Sequence, residues 1–280
     1  MARFGAFACC AAAVASFTGS ASASLTFLGP SPALDRSLNL VANGSFETGA
    51  PPPGVRIPWA SPSAPGYAVP PSWSSSGVDG QTYASWGSDG VPGQGIAGSA
   101  PFPHGTNGMY FGNATTSVNM PPTFLPDGRV TFPGSPTFNP TFGAPAELWQ
   151  SVDTHLSPAT SYRLSFWTSG EDAAISSGWV DGVMGLQITN VLVGDPIQYL
   201  AIPAAGSRMF DYEFVPLNPL APVEIRFINW GHLQAGGFAS ELVLDDVIIN
   251  TVPAPGGAMV LALGGLMVAR RRKRSFRAHP

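Results

Sequence analysis

The side chains of this chain that are equipped for chemistry are seventeen acids, four histidines and seven tryptophans in 280 residues. Three histidines, His104, His155 and His232, are interior, and His279 lies near the C-terminus. None sits in a His-x-x-x-His or Gly-x-Ser-x-Gly setting, so neither zinc-peptidase nor serine-hydrolase chemistry has a motif here. Both cysteines, Cys9 and Cys10, lie in an apolar N-terminal run. Beyond them the chain has no thiolate nucleophile, disulfide or zinc–thiolate site. Glycoside hydrolysis needs only two carboxylates about 5–10 Å apart, but no pair stands out by spacing. Glu171-Asp172 is the most conspicuous pair, and a solvated loop accounts for it. The aromatic residues are the stronger lead. Flat rings pack against the apolar faces of sugars, and small-molecule sites in β proteins are aromatic-lined. Trp73 and Trp86, and after them Trp179, are the candidate ligand platforms; packing into the core or against loops is the alternative for each.

The elements that must position these residues are strands. Apolar residues alternate with polar ones in Tyr162-Arg163-Leu164-Ser165-Phe166, in Phe210 to Phe214, in Val223 to Phe227 and in Met184 to Ile188. A last apolar run, Leu242 to Ile249, is interrupted by Asp245-Asp246. Period-two alternation bounded by Gly, Pro, Asn and Ser predicts antiparallel strands. Their apolar faces require a second sheet, so the prediction is an all-β sandwich. No long stretch carries helical periodicity, and no internal repeat is visible. Residues 50–146 are rich in Pro, Gly, Ser and Thr with scattered aromatics, which predicts two or three strands among large ordered loops. Residues 119–145 read as a long insertion without apolar period.

The ends carry addresses. Arg3 is the only charge in the first 34 residues, residues 4–17 are apolar or small, and Ala21-Ser22-Ala23 supplies a cleavage site. Residues 1–23 are thus expected to be a secretory signal peptide, with the mature chain beginning near Ser24 and a linker over 24–38. At the other end Val252-Pro253-Ala254-Pro255 precedes the apolar residues 256–269 and then Arg270-Arg271-Arg272-Lys273-Arg274. As a helix the fourteen apolar residues span only ~21 Å, against ~30 Å of bilayer core. The basic cluster favours the cytoplasmic side, with the rest of the chain outside. This tail, residues 251–280, resembles the PEP-CTERM sorting signal, with Pro253-Ala254-Pro255 in place of the usual Pro-Glu-Pro. The resemblance implies recognition by an exosortase, cleavage near Val252, Pro253 and Pro255, transient membrane anchoring, and delivery to an exopolysaccharide-rich surface. An ordinary short C-terminal anchor is the alternative. All seventeen acids lie between Asp35 and Asp246, against six arginines, so the exported part carries −11. That charge disfavours nucleic-acid binding.

Several segments in fixed order carry a second resemblance. These are Asn39 to Glu47 (Asn-Leu-Val-Ala-Asn-Gly-Ser-Phe-Glu), Pro71-Ser72-Trp73, Gly105 to Phe111, Glu147 to Val152, Tyr162 to Trp167, and Leu244-Asp245-Asp246-Val247. Together they resemble the galactose-binding-like jelly rolls, which include several carbohydrate-binding modules. The resemblance covers most of residues 39–250 and implies a jelly-roll β-sandwich whose first and last strands are neighbours. Glu47 then comes near Asp245 or Asp246. Carboxylates with backbone carbonyls suit a hard cation, and the resemblance implies a structural Ca²⁺ held by Glu47, Asp245 and Asp246; a turn cap and an exposed Asp pair are the alternative. The expected function is that of an exported, non-enzymatic surface or extracellular-matrix protein that binds polysaccharide or is structural. An extracellular carbohydrate-active enzyme and a purely structural protein without a defined ligand are the competing expectations.

Overall fold

The computed structural model describes residues 24–29, 34–49, 70–76, 83–88, 100–112, 116–140, 145–152, 156–158, 160–170, 182–231, 233 and 242–252. The expected signal peptide, Trp179, Pro253, Pro255 and the C-terminal apolar segment lie outside them. No helix among the described residues is long and apolar enough to cross a membrane.

The described residues form fifteen strands: β1 (Ser24–Phe27), β2 (Ser74–Ser76), β3 (Tyr83–Ser88), β4 (Asn107–Gly112), β5 (Thr116–Val118), β6 (Thr123–Phe124), β7 (Val130–Thr131), β8 (Phe138–Pro140), β9 (Ala146–Val152), β10 (Tyr162–Gly170), β11 (Gly182–Ile188), β12 (Gln198–Ile202), β13 (Ser207–Val215), β14 (Val223–Gly231) and β15 (Leu242–Thr251). They form a six-stranded sheet, β1-β13-β10-β15-β4-β3, and a five-stranded sheet, β12-β11-β14-β9-β2. Every pairing is antiparallel. The molecule is the β-sandwich that the alternation requires, with the jelly-roll form that the resemblance implies. In β9, Ala146, Leu148, Gln150 and Val152 are buried while Glu147, Trp149 and Ser151 are not. Phe46, Phe166, Phe210, Phe214, Phe227, Leu148, Met184 and Leu186 meet between the sheets as one core.

Two boundaries differ from the sequence reading. Residues 24–38 are not a linker. β1 pairs with β13 from Ser24 opposite Val215 to Phe27 opposite Tyr212, and Phe27 packs at 5.2 Å from the Tyr212 ring. A single 3-10 turn follows at Arg36–Leu38, capped by Asp35, which accepts from the Ser37 backbone N–H. Residues 116–140 are not a structureless insertion. β5 pairs with β8 and β6 with β7 as one nested hairpin ribbon. Short strands of mixed polarity leave no alternation to read, yet the ribbon folds over the outer face of the five-stranded sheet. Phe138 stacks on Trp230 at 4.3 Å, and Phe132 meets Tyr199 edge-on at 5.1 Å. The Gly128 carbonyl accepts from the Ala201 N–H at 2.8 Å.

The Asp-Asp interruption in the last strand is a β-bulge. Ser165 faces Ile248 and Trp167 faces Asp245, so Asp246 and Val247 share one position opposite Phe166. Asp246 takes a positive φ of 55° there. Such an extra residue re-aims its neighbours and frees backbone groups.

Candidate functional site

The freed backbone at the bulge is satisfied by the loop at residues 39–48. The Val247 N–H donates to the Gly44 carbonyl at 2.8 Å. Asn39 completes the match: its Nδ2 donates to the Val247 carbonyl and its Oδ1 accepts from Val41 and Ile249. A side chain at Gly44 would run into the Val247 carbonyl, so the close approach requires glycine there. On the other side Gln150 accepts from the Ala42 N–H and donates to the Ala42 and Ser72 carbonyls. The opening Asn-Gly-Ser-Phe-Glu and closing Asp-Asp-Val segments therefore fit together physically, one filling the irregularity of the other.

Glu47 leaves this loop toward the start of β4. Its Oε1 accepts from the Thr106 and Asn107 backbone N–H groups, both at 2.8 Å, and its Oε2 accepts from Asn107 Nδ2 at 2.5 Å. Gly105, at φ 67°, lies against the carboxylate, where a β-carbon would clash with it. Asp245 is fully buried close by. Its Oδ1 accepts from the Asp246 N–H at 2.6 Å, whereas its Oδ2 has no hydrogen-bond partner among the described residues. Asn107 Oδ1 is likewise buried without a partner. Burial pushes the Asp245 carboxyl well above the usual carboxylate range; the backbone N–H groups of Asp246 and His104 pull the other way, and the negative charges of Asp246 and Glu47 add to the rise.

Asp246 does not share that cluster. Its two oxygens accept from Arg36 Nε and Nη2, each at 2.6 Å. The bulge separates the two neighbouring acids, and the guanidinium neutralises one of them. Of the three acids expected together, Asp246 therefore stands apart, and Asn107, which the sequence reading did not name, joins Glu47 instead. Among the described residues no three His, Cys, Asp or Glu side chains gather into a metal-sized group. The donor chemistry still suits a hard cation: two carboxylates and an amide oxygen, two of the three side chains carrying a buried oxygen without a hydrogen-bond partner.

The tryptophans divide differently from expectation. Trp73 is a core residue, 6% exposed. Its ring lies between Phe46 at 5.4 Å and Phe227 at 6.4 Å, and its Nε1 donates to the Asn43 carbonyl. It offers no free face to a ligand, because the turn that delivers it points inward between the sheets. Trp86 belongs to β3 and pairs in register with Met109; its side chain lies outside what is described. Trp149 was not singled out by the sequence reading. It stands on the outer face of the five-stranded sheet, half-buried, where the alternation of Glu147, Trp149 and Ser151 against Leu148, Gln150 and Val152 had marked the outward side.

That outer face is covered unevenly. The ribbon over β11, β12 and the end of β14 buries Val183 and Ala201 together with Val130. It leaves β9 and the first half of β14. There Arg226 lies over Trp149 with its guanidinium carbon 4.8 Å from the ring centroid. Arg226 Nη1 reaches Glu147 Oε2 at 2.7 Å, and Nη2 reaches Glu224 Oε1 at 2.9 Å. The result is a fixed patch of one indole, one guanidinium and two carboxylates. It presents an apolar ring edge, donors and acceptors side by side, which suits a polyhydroxylated ligand better than a purely apolar or purely ionic one.

No protein-family model and no curated protein matches the chain. Among solved structures it is similar to a Stig cyclase from Fischerella sp. TAU, with 16% identity over 82% of this chain and 100% of that one and a TM-score of 0.45. It is also similar to a carbohydrate-binding module solved with β-1,4-galactotriose, at 15% identity over 75% and 97% of the two chains with a TM-score of 0.39. A third likeness is to the enzymatically active domain of a tailspike protein of bacteriophage CBA120, at 13% identity and a TM-score of 0.41; it covers 78% of this chain and 22% of the tailspike chain. The fold assignment rests on the sheet order and register above, not on these likenesses.

Proposed function

We propose that this is an exported, non-enzymatic surface protein whose sandwich binds polysaccharide on the open part of the five-stranded sheet. The observation that carries the reading is the patch of Trp149, Arg226, Glu147 and Glu224, which lies beside the ribbon that covers β11, β12 and the end of β14. Stacking area concentrates binding energy in few residues, and Trp149 supplies that area. The net −11 beyond the expected signal peptide and before the tail favours neutral or cation-bridged glycans over acidic polymers, because like charges repel within a Debye length of about 8–10 Å.

A Ca²⁺ held by Glu47, Asp245 and Asn107 belongs to the same reading. It would tie the loop at 39–48, β4 and β15 together and supply the positive charge that a buried Asp245 carboxylate otherwise lacks. Its part is structural: it holds the bulged strand, while the glycan patch lies on the opposite sheet.

Export and sorting complete the proposal. The N-terminal apolar run and Ala21-Ser22-Ala23 support a secretory signal, and the tail supports an exosortase-processed anchor with an exopolysaccharide-rich surface as destination. β1 begins at Ser24, the residue at which the mature chain is expected to start. Val252 closes a hydrogen bond to the Ser161 carbonyl at 2.8 Å, so Pro253 and Pro255 follow directly on the domain edge.

The deciding experiment is affinity electrophoresis and calorimetry against a panel of neutral and acidic polysaccharides, with and without calcium. Trp149→Ala should weaken binding at least tenfold, about 1.4 kcal/mol, without lowering the melting temperature. Retention by no polysaccharide under either condition would leave the protein purely structural.

A further inference from the structure

One end of the sandwich gathers features that neither the glycan patch nor the acid cluster uses. The strand ends β1, β13, β10 and β15 meet there: Ser24 pairs with Val215, and Tyr162 pairs with Phe214 and Thr251. Among the connections at the same end are residues 189–197 after β11 and residues 216–222 between β13 and β14. They are fastened to each other through Asn190. Its Nδ2 donates to the Asn218 and Ala221 carbonyls, its Oδ1 accepts from the Asn218 N–H, and its carbonyl accepts from the Leu217 N–H. The first connection is closed by Asp195, whose carboxylate accepts from the Asn190 N–H at 2.9 Å.

This rigid pair of loops holds its apolar side chains outward. Val193 is 91% exposed, Leu220 81% and Leu217 42%. Single exposed apolar residues are ordinary. Three on two interlocked loops, in segments with no lysine or arginine and only Asp195 as an acid, form a compact apolar tip. The loops do not need these side chains for their own packing, since Leu192 and Val191 supply that.

The chain leaves the sandwich at this same end. β15 finishes at Thr251, beside Tyr162, and Val252 makes the last backbone bond there. The apolar residues begin at position 256. Residues 253–256 reach at most about 14 Å, whatever their conformation. A short tether of that kind determines which surface meets the bilayer: only the end bearing Val193, Leu217 and Leu220 can.

We infer that, while the tail is membrane-anchored, these three side chains rest in the lipid interface and dock the sandwich end-on to the bilayer. The inference rests on the anchor reading of the tail and adds the surface that faces the lipid. Docked this way, the glycan patch on the side of the sandwich stays open to the medium, and the segment 252–255 is held at the membrane surface.

The test uses the expected mature chain, Ser24 to Pro280, which has no cysteine of its own, with a single cysteine at Val193→Cys or Leu220→Cys labelled by a polarity-sensitive dye. Ser207→Cys, exposed at the far end of β13, is the reference. On phosphatidylcholine vesicles the dyes at 193 and 220 should shift to the blue and brighten, and the dye at 207 should not move. A chain that floats with vesicles while the dyes at 193 and 220 stay aqueous would overturn end-on docking and leave the anchor reading standing. A chain that does not float would overturn both. A blue shift that grows with protein concentration in the absence of vesicles would assign the tip to a second copy of the chain and refute the lipid assignment.

Discussion

Asp245 offers the sharpest quantitative test. Its carboxyl is fully buried, one oxygen has no partner among the described residues, and burial followed by the charges of Asp246 and Glu47 holds it well above the ordinary value of 3.8. The sign follows directly. Above pH 3.8 the unfolded chain has released this proton and the metal-free folded chain has kept it. The folded state therefore binds one more proton, and stability falls as pH rises, by about 1.4 kcal/mol per unit. The loss stops once pH passes the raised folded value. For a domain of this size that slope corresponds to roughly 3–6 °C of melting temperature per pH unit. Other carboxylates contribute too, so the quantity to plot is wild type minus Asp245→Asn, which keeps the shape and removes the titration. Urea denaturation in chelator, from about pH 4 to 8, should give a difference that falls at up to one proton's slope. Calcium should cancel the fall, because the folded state then holds Asp245 ionised, and its stabilisation should grow with pH. At a hundredfold excess over Kd the increment is about 2.7 kcal/mol. A wild-type minus mutant difference that stays flat across the range in chelator would refute the buried-proton argument. A slope indifferent to calcium would retain the buried proton and remove the metal.

Further outcomes follow from the same contacts. Arg36→Met strands a buried Asp246 carboxylate and should cost about 3 kcal/mol in denaturation experiments, with part recovered in the Arg36→Met, Asp246→Asn double variant; no loss would mean that residues 34–38 are peripheral to the fold. Trp73→Ala should destabilise by about 3–5 kcal/mol while leaving glycan affinity per folded molecule unchanged. Gly105→Ala forces a β-carbon onto the Glu47 carboxylate at a positive φ and should cost at least about 2 kcal/mol. In a double-mutant cycle with Glu47→Ala, part of that cost should disappear, and strict additivity would show that the clash is not with Glu47.

The parts of this molecule that were legible in the sequence are those whose apolar residues alternate with polar ones. Leu164 and Phe166 in β10, Phe210, Tyr212 and Phe214 in β13, and Val223, Ile225 and Phe227 in β14 are such rows, and all are buried. The nearness of Glu47 to Asp245 was legible only through the resemblance, since some 200 residues separate them. The bulge was not. Asp245-Asp246 reads as a polar interruption, and nothing local says that one acid turns into the fold and the other toward Arg36. β1 is too short to show a pattern, and its partner β13 lies far along the chain. Trp73 illustrates a general difficulty: a turn composition of Pro71-Ser72 suggests exposure, while the side chain that follows turns inward. Trp149 was readable in principle, because its neighbours Leu148 and Gln150 face inward and parity places it outside. The ribbon at 116–140 closes through pairings of two or three residues and four aromatic contacts, below the length at which alternation carries information.

The last strand to be synthesised is an interior strand. β15 lies between β10 and β4 in the six-stranded sheet, so any product that stops short of residue 242 has a gap in the middle of that sheet. Such a chain exposes two facing strand edges and half of the core at once, and a set of contacts this non-local closes slowly. Completion is therefore tied to the arrival of the C-terminal residues: truncated products are barred from the native state and left prone to association through their open edges. The six-stranded sheet can be completed only once residues 242–251 are available to fill the place between β10 and β4.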